Sequence, residues 1–412
     1  MYAAIAILSA IVLIYSAMAG RLERTPLSGA ILFVSLGLLI GPFGLGLLHV
    51  PIDDGGLRLL AELTLAMVLF VEAANSDRAV LERFFQIPKR MLLVGLPLTI
   101  GLGFVIGSLI FDGLEALELA ILATMLAPTD AALGKAVVTN PQVPPALREG
   151  LKLESGLNDG ICVPLLLVLL ALAGRPSDGS EDLAWLVSEV FVREIGIGAL
   201  TGCLLSVAAS FSVGALVRRK GWFGESWLPA MVPALALLCF SAAQALHGSG
   251  LIAAFVGGIT LLVLDDSDRH RWLGAAEATG DVLSLLTWVL FGSVVVGEYL
   301  PSLSSEAVVY SVLSLTVIRM LPIFLSLWRV PLEIDGRLFV GWFGPRGLAS
   351  VVFAIIALEA DLPAANILTE TVVCTVLLSV VAHGVSAVPL ARWYASRHSE
   401  TLKPALDDPS QA

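Results

Sequence analysis

Six ionisable residues in apolar stretches of the sequence are the first candidates for chemistry. They are four acids and two arginines: Glu72, Asp130, Glu154, Asp159, Arg319 and Arg346. If these stretches cross a bilayer, each charge costs at least about 2.5 to 3.5 kcal/mol at its centre on insertion scales, so these residues are functional candidates by default. Because a carboxylate can hold either a proton or a cation, an interior set of this composition predicts chemistry that involves both.

The segment 152–166 contains the densest group of such residues, Glu154-Ser155-Gly156-Leu157-Asn158-Asp159-Gly160. Helical spacing places Ser155 and Asp159 on one face, and Glu154 and Asn158 on a neighbouring face. A dehydrated alkali cation prefers oxygen ligands from carboxylates, hydroxyls and freed carbonyls. One helix can therefore present oxygen ligands on one face and an ion pair beside them, and competition for one carboxylate is already an exchange mechanism.

The composition excludes an ordinary water-soluble protein. Of the 412 residues, 57% are hydrophobic and 14% are charged, whereas soluble domains average roughly 45 to 50% apolar and about 25% charged residues. Runs of about 20 apolar residues, which suffice to cross a bilayer as helix, recur along the whole chain. The four cysteines lie singly in apolar runs, so a metal or disulfide role is disfavoured. We predict one membrane domain.

Apolar length and polar breaks predict an all-α polytopic membrane protein with about thirteen transmembrane helices. The first is a retained helix, because Arg21 and Arg24 follow it and no positive charge precedes it. The predicted segments are approximately 2–20, 28–48, 57–75, 91–112, 115–138, 149–173, 186–217, 228–247, 250–265, 278–297, 306–328, 338–359 and 367–391.

Lysine and arginine gather in alternate loops, which is the distribution expected of cytoplasmic loops. This asymmetry supports an odd number of spans, with the N terminus outside and the C terminus in the cytoplasm. We therefore predict a multi-pass protein of the cell membrane. The residues 394–412 are expected to form a short cytoplasmic tail with no room for a regulatory domain.

Two predicted segments each contain proline and glycine residues that would break a helix. Ala127-Pro128-Thr129-Asp130 with Gly134 interrupts the fifth, and Gly341 with Gly344-Pro345-Arg346-Gly347 interrupts the twelfth. If segments one to six and eight to thirteen form two inverted six-helix repeats, these interruptions occupy corresponding positions. Paired interrupted helices indicate the midplane site of a transporter, because unwound backbone is tolerated only where protein or water covers it.

Taken together, several motifs resemble one family. They are the Glu-Ser-x-x-Asn-Asp sequence at 154–159, Pro128-Thr129-Asp130, Glu72, and Gly344-Pro345-Arg346-Gly347. The chain resembles, over nearly its whole length, the NhaP-type branch of the first cation/proton antiporter family, the electroneutral sodium/proton exchangers. One departure is that Ala131-Ala132-Leu133-Gly134-Lys135 follows Asp130, where the family often has proline and a valine-rich stretch.

The resemblance implies a homodimer in the membrane plane, built from an exchanger domain over residues 1–393. Its core domain, approximately 91–173 and 306–391, would contain two crossed discontinuous helices. The dimerisation or scaffold domain would comprise approximately 1–75 and 186–297.

The resemblance also implies roles for the site residues. Asp159 would carry the cation or the proton, with Asn158 beside it where electrogenic relatives have a second acid. Ser155, Glu72 and the backbone carbonyl of Thr129 would complete the shell around Na⁺.

Charged residues near the helix crossing take different roles in this resemblance. Asp130 would offset a positive helix end or take part directly, and Arg346 would counter the opposing negative end. Glu154 and Arg319 would form a structural ion pair.

The expected function is secondary active exchange of sodium or lithium for protons, 1:1 and electroneutral, by alternating access. A potassium/proton antiporter would share every motif, while a cation channel would conduct without proton coupling. An intramembrane enzyme is disfavoured because no HExxH motif and no Ser/His pairing stands out.

We expect no cofactor besides the transported ions, no nucleic-acid partner, and location in a prokaryotic inner membrane. His383 and His247 are candidates for pH sensing, although a packed or loop histidine is commoner.

Overall fold

The computed structural model describes residues 2–22, 29–48, 55–75, 86–131, 133–174, 188–217, 227–264, 269–358, 360 and 362–398. Within these ranges the chain forms helices and turns, without a strand. Most of the predicted tail, from residue 399 onward, lies outside the described residues.

The helices follow the predicted segments in order. They are α1 (Tyr2–Leu22), α2 (Gly29–Ile40), α3 (Gly56–Asn75), α4 (Gln86–Ile110), α5 (Ala116–Met125), the short α6 (Lys135–Val138), α7 (Pro145–Ala173), α8 (Gly198–Val217), α9 (Leu228–Ala245), α10 (Gly250–Leu264), α11 (Arg269–Leu290), α12 (Ser305–Leu315), α13 (Val317–Ser326), α14 (Ile334–Trp342), α15 (Leu348–Leu358) and α16 (Ala365–Arg397).

Seven helices of the described chain are long and apolar enough to cross a membrane. Five shorter apolar helices accompany them, among them α2, α5 and α15. A helix needs about 20 apolar residues to span the hydrocarbon core alone. A shorter helix therefore needs a second helix, or neighbouring helices, to complete the crossing. The protein is thus a helical membrane protein, and the number of thirteen spans stays a prediction.

One group of helices packs around α3. This helix contacts α9, α10 and α11, and α10 in turn contacts α8. Small residues permit close backbone approach: a Cβ atom at Gly258 would lie 2.3 Å from the carbonyl oxygen of Phe70, and one at Gly202 would lie 2.1 Å from that of Ala253. Such contacts are the usual means of helix association in a bilayer, where lipid removes the hydrophobic driving force.

A second group comprises α4, α5, α7 and α12 to α16. In it, α5 packs against α4 and α7, and α16 packs against α12 and α15. The helix α7, which carries the Glu-Ser-x-x-Asn-Asp sequence, also contacts α3 and α10 of the first group. The Glu-Ser-x-x-Asn-Asp sequence therefore lies on a helix that contacts both groups.

Both predicted interruptions are present. The first break, residues 126–131 and 133–134, follows the end of α5, and the second break, residues 343–347, separates α14 from α15. Pro128 and Pro345 lie inside the two breaks. Proline removes a backbone donor and disfavours helical geometry at the preceding residue, which explains why helix formation stops there.

Some boundaries differ from the prediction. The helix α4 begins at Gln86 rather than at residue 91, and α16 continues to Arg397 rather than ending at residue 391, because polar residues extend a helix beyond its apolar part. The predicted segment 306–328 is divided at Thr316, whose φ and ψ are −108° and −90°. The Thr316 hydroxyl donates to the carbonyl of Val312 at 2.7 Å, a bond that bends helices.

Candidate functional site

The two breaks cross and bind each other through their backbones. The N–H of Asp130 donates to the carbonyl of Pro345 at 2.8 Å, and the N–H of Leu348 donates to Oδ2 of Asp130 at 3.1 Å. Leu348 begins α15, so the Asp130 carboxylate lies at the positive end of that helix. A Cβ atom at Gly347 would lie 2.0 Å from Oδ2 of Asp130, which means that only glycine fits at this crossing.

Arg346 occupies the same crossing from the opposite side. It is fully buried, and its Nη1 donates to the carbonyls of Ala127 and, at 3.1 Å, of Pro128. These carbonyls follow the C-terminal end of α5, where helix geometry leaves acceptors without intrahelical donors. The guanidinium therefore supplies both hydrogen bonds and positive charge at a negative helix end.

Side chains of α7 hold the first break from its other side. The hydroxyl of Ser155 donates to the carbonyl of Thr129 at 2.7 Å and accepts the N–H of Ala131 at 2.8 Å. The amide of Asn158 donates to the Thr129 hydroxyl at 2.8 Å. These contacts satisfy backbone groups that the broken helix exposes, so the unwound segment is stable inside the protein.

Glu154 and Arg319 form a buried ion pair with two parallel hydrogen bonds. The distances are 2.8 Å from Nη1 to Oε1 and 3.0 Å from Nη2 to Oε2, and each residue is about 1% exposed. Glu154 also accepts hydrogen bonds from Asn158 at 3.0 Å and from the Thr129 hydroxyl at 3.1 Å. Both carboxylate oxygens are thus engaged, which leaves Glu154 poorly suited to bind a transported ion.

The Asp159 carboxylate, unlike that of Glu154, is not fully hydrogen-bonded by the described residues. Asp159 is 5% exposed, and its Oδ1 is buried without a hydrogen-bond partner in the part of the chain that the structure describes. Burying a carboxylate oxygen without compensation is costly, and either a proton or a cation at the carboxylate would reduce the cost. Asp159 therefore has the properties that an ion-carrying group requires.

A cavity of about 170 Å³ lies beside Asp159, between α3 and α11 on one side and α7 and α15 on the other. Glu72 and Asp130 also line it, and α11 contributes Glu277 and Asp281. A space of this size holds several water molecules. Five carboxyl groups that share one cavity favour the entry of cations and disfavour that of anions.

The predicted cation shell is distributed over two spaces. Asp159 and Glu72 line the large cavity, whereas Thr129 and Ser155 line a small one of about 10 Å³ beside Pro345. The hydroxyl of Ser155 and the carbonyl of Thr129 bind each other. A shell that contains all four groups stays a prediction.

Sequence reasoning missed the contribution of α11. Asp281 falls inside the predicted segment 278–297, so the rule that selected the other acids would have selected it as well. Glu277 precedes that segment by one residue and accepts a hydrogen bond from the amide of Asn75. The spacing of Glu277 and Asp281, i and i+4, was the available signal for a shared face.

Helices of membrane-spanning length, two broken helices that cross, and a buried carboxylate beside an acidic cavity define a secondary-transporter fold. The chain belongs to the sodium/hydrogen exchanger family, because the family model described as "Sodium/hydrogen exchanger, transmembrane" matches residues 7–393. The family predicted from the sequence motifs is thereby confirmed.

Individual relatives are distant. The K⁺/H⁺ antiporter NhaP2 of Shewanella oneidensis is 23% identical over 391 residues, covering 94% of this chain and 66% of the relative. The K⁺/H⁺ antiporter NhaP of Alkalimonas amylolytica is 23% identical over 385 residues, covering 88% and 62%. The chain thus spans slightly less than two thirds of the length of these relatives.

The fold is also similar to a solved structure. The sodium proton antiporter MjNhaP1 from Methanocaldococcus jannaschii, determined at pH 8, superposes with a TM-score of 0.73 at 20% identity. The match covers 92% of this chain and 98% of MjNhaP1.

Proposed function

We propose that this protein exchanges a monovalent cation for protons across a membrane. The observation that carries the proposal is the Asp159 carboxylate, buried yet facing the acidic cavity, with one oxygen that no described residue satisfies. A carboxylate in this position holds a proton or a cation, and binding of one excludes the other. Family membership supports transport rather than enzyme activity, and the proposal requires no cofactor.

The charges around Asp159 support one-for-one exchange. Arg319 neutralises Glu154, and the neighbour of Asp159 in the helix is the uncharged Asn158. Of the five carboxyl groups at the cavity, Asp159 alone is proposed to exchange its proton for a monovalent cation, so the transport cycle moves no net charge.

The cavity position supports alternating access. Its walls come from the proposed scaffold domain, approximately 1–75 and 186–297, and from the proposed core, approximately 91–173 and 306–391. Movement of the core against the scaffold would close this cavity and open another on the opposite side. A second copy of the chain bound through the scaffold would hold the scaffold still in the bilayer while the core moves.

The position of α11 supports an orientation. Glu277 lies two turns from the start of α11, and the helix begins with Arg269 and Arg271, on the side predicted to be cytoplasmic. We therefore propose that the cavity opens to the cytoplasm of a prokaryotic cell, in whose plasma membrane the N terminus is outside and the C terminus inside.

We propose sodium, or lithium, as the cation. The similarity to the fold of MjNhaP1, named a sodium proton antiporter, and the match to the sodium/hydrogen exchanger family support this choice. Potassium is the second candidate, because the relatives from Shewanella and Alkalimonas are named K⁺/H⁺ antiporters.

The test is cation-driven dissipation of a pH gradient in proteoliposomes, with sodium, lithium and potassium added separately. The unaltered protein is expected to dissipate the gradient with at least one cation, and Asp159→Asn to be inactive, because an amide does not take up and release the proton. Asp112→Asn, at an exposed acid in the turn after α4, is the matched control and should be active. No response to any of the three cations, or full activity of Asp159→Asn, would refute the proposal.

A further inference from the structure

One face of α16 binds the second break through three polar side chains. Ser379, His383 and Ser386 are spaced i, i+4 and i+7, so they project from the same side of the helix. The N–H of Arg346 donates to the Ser379 hydroxyl at 2.7 Å, and Nε2 of His383 lies 2.8 Å from the carbonyl of Trp342. The indole N–H of Trp342 donates to Ser386 at 2.9 Å. The break is thus held at both of its ends.

Both ring nitrogens of His383 face acceptors. Nε2 lies 2.8 Å from the carbonyl of Trp342, and Nδ1 lies 2.9 Å from the backbone carbonyl of Ser379 and 3.2 Å from its hydroxyl. Because both carbonyls only accept, the ring hydrogen is donated to one of them in either neutral tautomer. The oxygen of the Ser379 hydroxyl receives the N–H of Arg346. A chain of polar contacts therefore runs from Arg346 through Ser379 and His383 to Trp342.

Packing reinforces this chain. Ser379 and His383 are completely buried, and the imidazole stacks on the Trp342 indole with 5.0 Å between ring centroids and 30° between planes. Trp342 is the last residue of α14, and its carbonyl also accepts the N–H of Gly344 at 2.8 Å. Since the chain joins the end of α14 to Arg346, it fixes the length and direction of the second break.

We propose that His383 and Ser379 are positioning residues for cation exchange. They hold the second break where Arg346 binds the carbonyls of Ala127 and Pro128 and the N–H of Leu348 binds Asp130. This role rests on the proposed function of the protein. Loss of the chain lets the second break relax away from the first, which weakens cation binding at the neighbouring cavity.

Four substitutions separate positioning from simple packing. His383→Phe keeps a flat ring over Trp342 but removes both nitrogens, whereas His383→Gln keeps an N–H donor for the Trp342 carbonyl. Ser379→Ala removes the hydroxyl, and Ser379→Thr keeps it. His247→Asn, at the exposed histidine in the turn after α9, is the control. Each variant is assayed in proteoliposomes for half-saturating cation concentration and maximal rate, and in detergent for melting temperature.

His383→Phe and Ser379→Ala are expected to raise the half-saturating cation concentration about three- to tenfold, the range for loss of one internal hydrogen bond. His383→Gln and Ser379→Thr should stay within about twofold of the unaltered protein. The double variant His383→Phe/Ser379→Ala should have a half-saturating cation concentration no higher than that of the more affected single variant, because both substitutions act through one chain. The pH profile of His383→Gln should match that of the unaltered protein, since positioning requires no titration.

Three outcomes would overturn the positioning role. The first is an unchanged half-saturating concentration in both His383→Phe and Ser379→Ala. The second is equal impairment of the conservative and the disruptive variants. The third is a lowered melting temperature and maximal rate without a change in half-saturation, which indicates packing alone. Failure of the unaltered protein to exchange any cation would instead refute the proposed function. If His383→Phe does not fold, Ser379→Ala carries the same comparison.

Discussion

Removing one partner of the Glu154 and Arg319 pair should strongly destabilise the protein. Arg319→Met leaves the Glu154 carboxylate about 1% exposed, with only the hydrogen bonds from Thr129 and Asn158. Breaking a buried ion pair in this way costs about 3 to 5 kcal/mol, because a charge remains without compensation. Such a loss changes the unfolding equilibrium constant by about two to three and a half orders of magnitude.

The assay is chaotrope-induced unfolding of the purified protein in detergent. The matched control is Arg397→Met, which breaks the pair of Arg397 and Asp335 outside the predicted spans; the two charged groups are 3.9 Å apart and the arginine side chain is 64% exposed. An exposed pair contributes only about 0 to 1 kcal/mol, so this variant should be nearly as stable as the unaltered protein.

A double substitution tests whether the lost stability comes from the stranded charge. Glu154→Gln combined with Arg319→Met removes both charges, and replacement of a whole buried pair is often neutral. The double variant should therefore recover most of the stability that Arg319→Met loses. If Arg319→Met is no less stable than Arg397→Met, or if the double variant is less stable than Arg319→Met, the structural role of the pair of Glu154 and Arg319 is wrong.

Two further predictions concern the crossing and the stoichiometry. Gly347→Ala should reduce the exchange rate in proteoliposomes at least tenfold, about the effect of 1.4 kcal/mol, because its Cβ would lie 2.0 Å from Oδ2 of Asp130. Gly101→Ala is the control and should have no effect, because there is open space around its Cβ. Equal exchange rates of the two variants would contradict the crossing geometry. In the unaltered protein an imposed membrane potential should not drive sodium-coupled proton movement. A voltage response would exclude 1:1 exchange.

Much of the helical framework could be predicted because its causes are local. Apolar length predicted the segments, and Pro128 and Pro345 predicted the interruptions of the fifth and twelfth. Departures arise where polar residues continue a helix, as at Gln86 and near Arg397, or where a helix is divided without a proline or glycine, as at Thr316. Apolar periodicity contains no information about such changes.

The roles of site residues could be predicted where a sequence motif indicated them. They could not be predicted where they depend on contacts between residues that are far apart in the sequence. The sequence resemblance proposed the pair of Glu154 and Arg319, which the structure places in direct contact. The network around His383 was not predictable, because the imidazole meets Trp342 across 41 positions of the sequence. Asp281 was visible in the sequence, but its relation to Asp159 depends on the packing of α11 against the cavity.

Proton release on cation binding tests most directly whether Asp159 holds one ion at a time. In weakly buffered detergent solution, addition of the transported cation to the unaltered protein should release up to about one proton per cation bound, because the two compete for one carboxylate. Asp159→Asn should release none, and Asp112→Asn should match the unaltered protein. Cation binding without proton release at any pH, or undiminished release by Asp159→Asn, would contradict the exchange mechanism.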